Sequence, residues 1–407
     1  MVTSRQHLKL AAPLLVLALG FLAFSFLRRN VAAADKGATT LEGRGLTPAG
    51  SLLIDKATGK PAVGAMPMAF VRSPDTSGPN GGGRYLISVN SGYGVQFNGK
   101  DKPAQSLAVI DLKADPPVVV QTIYFPSPQS VNVGAVFDPR AGSDGSYKLY
   151  VSGGVENKIW IMSFRPGAEN PLSPQPGNRM EKVSAPSIDI AALTVEKAEL
   201  AYNGGRPPVY PTGLALGAAS RRLFVANNLA DNLGILTPSE GGQWKLKSVD
   251  LHRDNKSEFV YPYWVTVLKS DDGKTTRKVY VSCWNTATVA EVDADHPEAS
   301  VKHIAVANHP TAMLLNQSGS RLFVVNSGAD SVSVIDTAED REIERIDTRL
   351  QEKIDVVGNS PESLALSSDG QKLFAANSHS NSVAVVSLSR KAIGGPNAEA
   401  DGDGDGG

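Results

Sequence analysis

The chain has 407 residues, a formal net charge of −1 and a single cysteine, Cys283. A near-neutral balance excludes the basic face that a nucleic-acid partner requires, and one cysteine excludes an intramolecular disulfide, so stability has to come from packing. A domain of about 300 residues buries roughly three quarters of its unfolded surface, which is enough for that. The histidines and tryptophans are too few and too scattered for a haem or metal array, so no cofactor and no metal are expected.

The N-terminus reads as a targeting segment. Arg5 and Lys9 precede an apolar run at residues 10–27, followed by Arg28-Arg29 and Ala32-Ala33-Ala34. Positive residues, an apolar stretch and small residues describe a secretory signal cleaved after Ala34. The run is also close to the roughly 20 residues that span a bilayer. Residues 1–34 are therefore either a signal peptide or an uncleaved inner-membrane anchor, and both place the body in the periplasm or outside the cell. Residues 35–50 read as a linker. The short apolar run at 52–54 has no partner ahead of it, and is expected to close the ring described below by completing its last blade.

Residues 51–390 form the folded body, and residues 310–336, PTAMLLNQSGSRLFVVNSGADSVSVID, are its clearest unit. Three short Val- and Leu-rich runs are separated by turns rich in Asn, Ser and Gly, the pattern of antiparallel strands joined by hairpins. Related units occur at 67–111, 131–162, 211–238, 262–293 and 361–387, and the leading prolines at 211, 262, 310 and 361 are 51, 48 and 51 residues apart. Short strands repeating at that period predict an all-β propeller of four-stranded antiparallel blades, six of them visible. Fourth, outer strands are predicted at 118–124, 244–249, 301–306 and 342–346, and the Lys, Arg and Glu of the last three suit a solvent edge. Prolines at 166, 171, 174, 176 and 186 interrupt the period, so residues 165–210 read as an insertion looped over one face, with 188–193 an outer strand or a short helix. The tail at 391–407 ends in alternating Asp and Gly. It has only the first half of a calcium loop and reads as an acidic linker.

Most units begin with a residue followed by proline, and a residue before proline is expected to be extended. These turns are predicted to face the central channel, presenting Met66, Tyr210, Tyr261, His309 and Ser360, with Thr212, Tyr263, Thr311 and Glu362 just behind. From this set, Tyr210, Tyr261, His309, Thr311 and Glu362 are the candidate ligand-binding residues at the channel mouth. No nucleophile–base pair is placed beside His309, so no catalytic residue is assigned. His379 is expected to be exposed, and the recurring Asn90, Asn227, Asn326 and Asn377 are expected to cap turns.

Phe224-Val225-Ala226-Asn227, Phe323-Val324-Val325-Asn326 and Phe374-Ala375-Ala376-Asn377 resemble the repeated Tyr-Val-Thr-Asn motif of the YVTN, or YncE-like, propellers. The resemblance covers roughly residues 45–390. Leu46-Thr47-Pro48-Ala49-Gly50 and Asn90-Ser91-Gly92-Tyr93-Gly94 are similar, more narrowly, to the propeller half of exported proteins that fuse this ring to an alkaline-phosphatase-type domain. That resemblance implies seven blades and a C-terminal phosphoesterase partner domain. The sequence is then either a fragment ending in a linker near Gly394 or a stand-alone ring. The leading functional expectation is a binding or scaffold module for a protein or a small polar ligand. The alternative is a lactonase-like hydrolase that uses the channel mouth.

Overall fold

The computed structural model describes residues 63–64, 66–92, 105–193, 209–218, 221–253, 258–349, 358–380 and 382–388, with backbone pairs at 40–41, 44–45 and 54–55. The targeting segment at 1–34 and the tail at 391–407 lie outside the described residues, as do most of the linker and residues 52–53.

Six antiparallel blades follow one another around a central channel. Blade one is Pro67–Arg72, Tyr85–Asn90, Gln105–Asp111 and Val118–Phe125; blade three is Pro211–Leu216, Leu223–Asn227, Asn232–Pro238 and Trp244–Asp250. Blade four is Pro262–Lys269, Thr276–Cys283, Thr288–Asp293 and Lys302–Ala305, and blade five is Pro310–Leu315, Arg321–Asn326, Ser331–Asp336 and Arg341–Asp347. All four predicted outer strands are present. Blade six has three strands, Pro361–Leu366, Lys372–Asn377 and Ser382–Ser387.

Blade two is built from Ala135–Phe137, Tyr147–Ser152 and Lys158–Phe164, and its outer edge comes from the insertion in two pieces. Ser187–Asp189 pairs with Lys158–Trp160, and Leu172–Ser173 pairs with Ser163 and Phe164. Ile190–Leu193 then makes one helical turn, so the stretch expected to be a strand or a helix is both. As far as Leu193 the insertion runs along the rim, not over a face. Gln121 of blade one holds it there, donating to the Leu172 carbonyl at 2.6 Å and accepting from the Leu172 N–H at 2.7 Å. An unpaired strand edge recruits the nearest extended chain, and these prolines keep the chain extended.

Packing is blade against blade. The second strands are buried on both faces, as in Leu223–Asn227, because each sheet is sandwiched between two others. Separate apolar clusters join blades one and two, two and three, three and four, four and five, and five and six. Among the described residues none joins six to one. Phe224 and Phe323 occupy the same position in their second strands and are 0% and 4% exposed, each covered by the following blade. Phe374 occupies that position in blade six and is only half-buried, with Val383 and Val385 beside it at 57% and 59% exposed. The expected closing strand goes elsewhere: Ile54–Asp55 pairs in parallel with Val118–Val119, on the outer edge of blade one. That edge is adjacent in sequence, so joining it closes a shorter loop than reaching blade six would.

Candidate functional site

Five blades begin at a proline, and the structure corrects the expectation for the residue ahead of it. Met66, Tyr210, Tyr261, His309 and Ser360 have φ of 51°, 53°, 51°, 55° and 43°, left-handed and not extended. The turn is held by a repeated bond. The Tyr210 carbonyl accepts from Asn228 N–H at 3.1 Å, Tyr261 from Trp284 at 3.1 Å, His309 from Ser327 at 2.9 Å and Ser360 from Ser378 at 2.9 Å. Ser91 N–H bonds Met66 in the same way. A strained φ repeated at one position persists because its surroundings over-determine it.

The residue just before the third strand provides a further clamp, which the sequence reading missed. Asn157 Oδ1 accepts from the N–H groups of both Val209 and Tyr210 at 2.9 Å. Asp231 Oδ1 accepts from Val260 at 2.8 Å and Tyr261 at 2.9 Å. Asp330 accepts from Gly358 at 2.7 Å and Ser360 at 2.9 Å. Each clamp sews one blade to the turn leading into the next. The sign in the sequence is an Asn or Asp directly ahead of the third run, and these residues also tolerate the left-handed φ of 56°, 50° and 46° found there. The recurring Asn90, Asn227, Asn326 and Asn377 are buried. Instead of capping their own turns they bond side chains of the third strand, as Asn326 does with Ser331 and Ser333, and among the described residues none bonds the backbone of its own turn.

The five candidate residues fall into two groups. Tyr210 and Glu362 both act electrostatically on Tyr263, and Tyr210 and Tyr263 line one cavity. Burial, aided by the Glu362 charge, pushes the Tyr263 phenol well above its ordinary value, so it stays protonated. Burial alone raises Glu362 to about 7. No hydrogen bond or ion pair reaches the Glu362 carboxyl among the described residues. Thr311, just behind His309, is 2% exposed, and its hydroxyl has no partner among the described residues. A cavity of about 270 Å³ opens here, lined by Met66, Asn132, Tyr210, Thr212, Asn228 and Tyr263.

Tyr261 and His309 belong to an aromatic ladder instead. Phe259 stacks on Tyr261 at 5.5 Å and 4°, Tyr261 tilts against Trp284 at 6.4 Å, and Trp284 stacks on His309 at 3.8 Å and 5°. Trp284 holds no shared tryptophan position, but it directly follows a second strand, where its N–H bonds Tyr261. Position in the repeat, not residue type, was the available signal. His379 is exposed, as expected. Among the described residues no group of three or more His, Cys, Asp or Glu converges as a metal site would require.

The fold and the mouth define an all-β propeller whose channel opening holds a half-buried carboxyl without a partner among the described residues. The model of the Lactonase, 7-bladed beta-propeller family matches residues 265–404. No curated protein matches the sequence significantly. Among solved structures, the chain is similar to a provisionally assigned 6-phosphogluconolactonase from Bacteroides uniformis, with 12% identity over 83% of this chain and 87% of that one and a TM-score of 0.53. A second provisionally assigned 6-phosphogluconolactonase, from Bacteroides fragilis, shares 13% identity over 82% and 85% of the two chains, with a TM-score of 0.52. A Lactobacillus plantarum protein gives 13%, 82%, 86% and 0.52. At these identities the shared feature is the fold.

Proposed function

We propose that the ring is a lactonase-like hydrolase of small polar lactones, working at the channel mouth. The carrying observation is Glu362, a half-buried carboxyl without a protein partner among the described residues, whose charge acts on the Tyr263 phenol; Tyr263 and Tyr210 in turn line a cavity of about 270 Å³. The family model over residues 265–404, which include Tyr263's blade from its fourth residue on and all of blades five and six, supports the same reading.

The chemistry follows from these groups. A carboxylate whose proton comes off near neutral pH suits a general base. Glu362 takes a proton from water as that water attacks the lactone carbonyl, giving a tetrahedral oxyanion. The phenol hydroxyls of Tyr210 and Tyr263 are the donors that stabilise it. Collapse breaks the ring C–O bond, and the departing alkoxide takes the proton back from Glu362, leaving a hydroxy acid. The YVTN type of the repeats and export by the N-terminal segment are compatible with this reading and belong to the same proposal.

The test is hydrolysis of gluconolactone and its 6-phosphate followed in a pH-stat against the uncatalysed rate. Glu362→Gln should lower the rate about 10²–10⁴-fold, and the wild-type rate should rise as pH passes about 7. A rate equal to the blank, or an undiminished Glu362→Gln, overturns the reading.

A further inference from the structure

At four of the five junctions between successive blades, a side-chain oxygen accepts hydrogen bonds from the backbone leading into the next blade. Gln105 Oε1 bonds Val131 N–H at 2.8 Å between blades one and two; Asn157, Asp231 and Asp330 serve the junctions two–three, three–four and five–six. The junction between blades four and five is different. Ala287 stands directly before the third strand of blade four, where blades two, three and five have Asn157, Asp231 and Asp330.

The backbone there is otherwise the same. Ala287 has φ 51°, against 50° for Asp231 and 46° for Asp330. Its carbonyl accepts from Val306 N–H at 3.0 Å, as that of Asp231 does from Leu251 at 3.1 Å and that of Asp330 from Thr348 at 3.0 Å. His309 has φ 55°, and the Asn308 and His309 carbonyls accept from Gly328 at 3.2 Å and Ser327 at 2.9 Å, repeating the pattern of Val260 and Tyr261. Only the carboxylate is missing. Among the described residues no group accepts from the N–H of Asn308 or His309.

We propose that these two N–H groups form a binding site for a small carboxylate, which takes the place that the Asp231 carboxylate fills one blade earlier. Adjacent backbone donors in a left-handed turn make an anion-binding concavity. The donors are in position before the ligand arrives, because the turn is held by the same carbonyl bonds as its neighbours. The Trp284–His309 stack, 3.8 Å between centroids, places flat apolar surface next to the anion. A carboxylate attached to an apolar or ring-shaped body is therefore favoured over a bare inorganic anion. This site is separate from Glu362 and holds whether or not the ring is a hydrolase.

The experiment is an amide-shift titration of ¹⁵N-labelled protein with sodium acetate, matched by sodium chloride at equal ionic strength. Acetate should move the Asn308 and His309 amides saturably, with a midpoint on the order of millimolar, and chloride should not. Ala287→Asp should place these amides near the acetate-bound position without acetate, weaken the acetate response more than tenfold and raise Tm. Asp231→Ala should create a second acetate response at Val260 and Tyr261, which tests the same geometry even if Ala287→Asp does not fold. Unsaturable acetate shifts, or an equal response in Ala287→Asp, overturn the proposal.

Discussion

At the scale of single residues, the environment of Glu362 makes a prediction separate from activity. Its pKa is about 7 in the folded chain against an ordinary 4.5, with burial as the cause. The fold therefore favours the protonated form. The stability this group contributes is fully present below about pH 4.5 and is lost as pH rises through about 7. Glu362→Gln removes that loss. In chemical denaturation the variant should gain on the wild type between about pH 4 and about pH 8.5, by on the order of 2 kcal/mol. Gly328 tests the aromatic ladder. A Cβ there would lie 2.5 Å from Nδ1 of His309, which is already pressed against Trp284. Gly328→Ala should cost about 1–3 kcal/mol by overpacking and change the near-UV circular dichroism. Cys283 is fully buried and its thiol is pushed up to about 12 by burial. It should react with a thiol reagent only on unfolding; rapid labelling of the native chain would contradict this packing.

At the scale of elements, blades are joined by polar clamps as well as by apolar faces. Asp231→Ala leaves two backbone donors without an acceptor and puts alanine at φ 50°. It should cost about 2–4 kcal/mol, whereas Asp231→Asn should keep most of the stability because an amide oxygen can accept the same bonds. Equal losses for the two variants would show that the clamp is unimportant. Much of this level was legible. The strand runs, the Gly and Asn turns, the outer strands and the leading prolines are visible because hairpins are local. The left-handed φ ahead of each proline was not, because it is imposed by a carbonyl bond to the residue just after the second strand, some 18 to 23 residues away at Tyr210, Tyr261, His309 and Ser360. The rim position of the insertion was hidden for a similar reason: it depends on Gln121, more than 40 residues upstream.

At the scale of the whole molecule, the ring is unequal around its circumference. Phe323 is enclosed by blade six, while Phe374, its counterpart one blade later, is half-buried. Phe323→Ala should lower the unfolding free energy by about 3–5 kcal/mol, and Phe374→Ala by about 1 kcal/mol. Similar losses would mean that the face of blade six is covered in solution. The sequence by itself determined the blade: its strand lengths, its period near 50 residues and the polar turns that return the chain. Those properties follow from hydrogen bonding and burial between neighbours in the chain, so a repeat can be read one unit at a time. Only the tertiary structure decided that Tyr210 and Tyr263 line one cavity with the Glu362 charge acting on Tyr263, that Tyr261 and His309 join the aromatic ladder instead, and that Val383 and Val385 of blade six are exposed. Each depends on how successive blades rotate about the channel. That rotation is set by packing between sheets, to which residues from distant repeats contribute together.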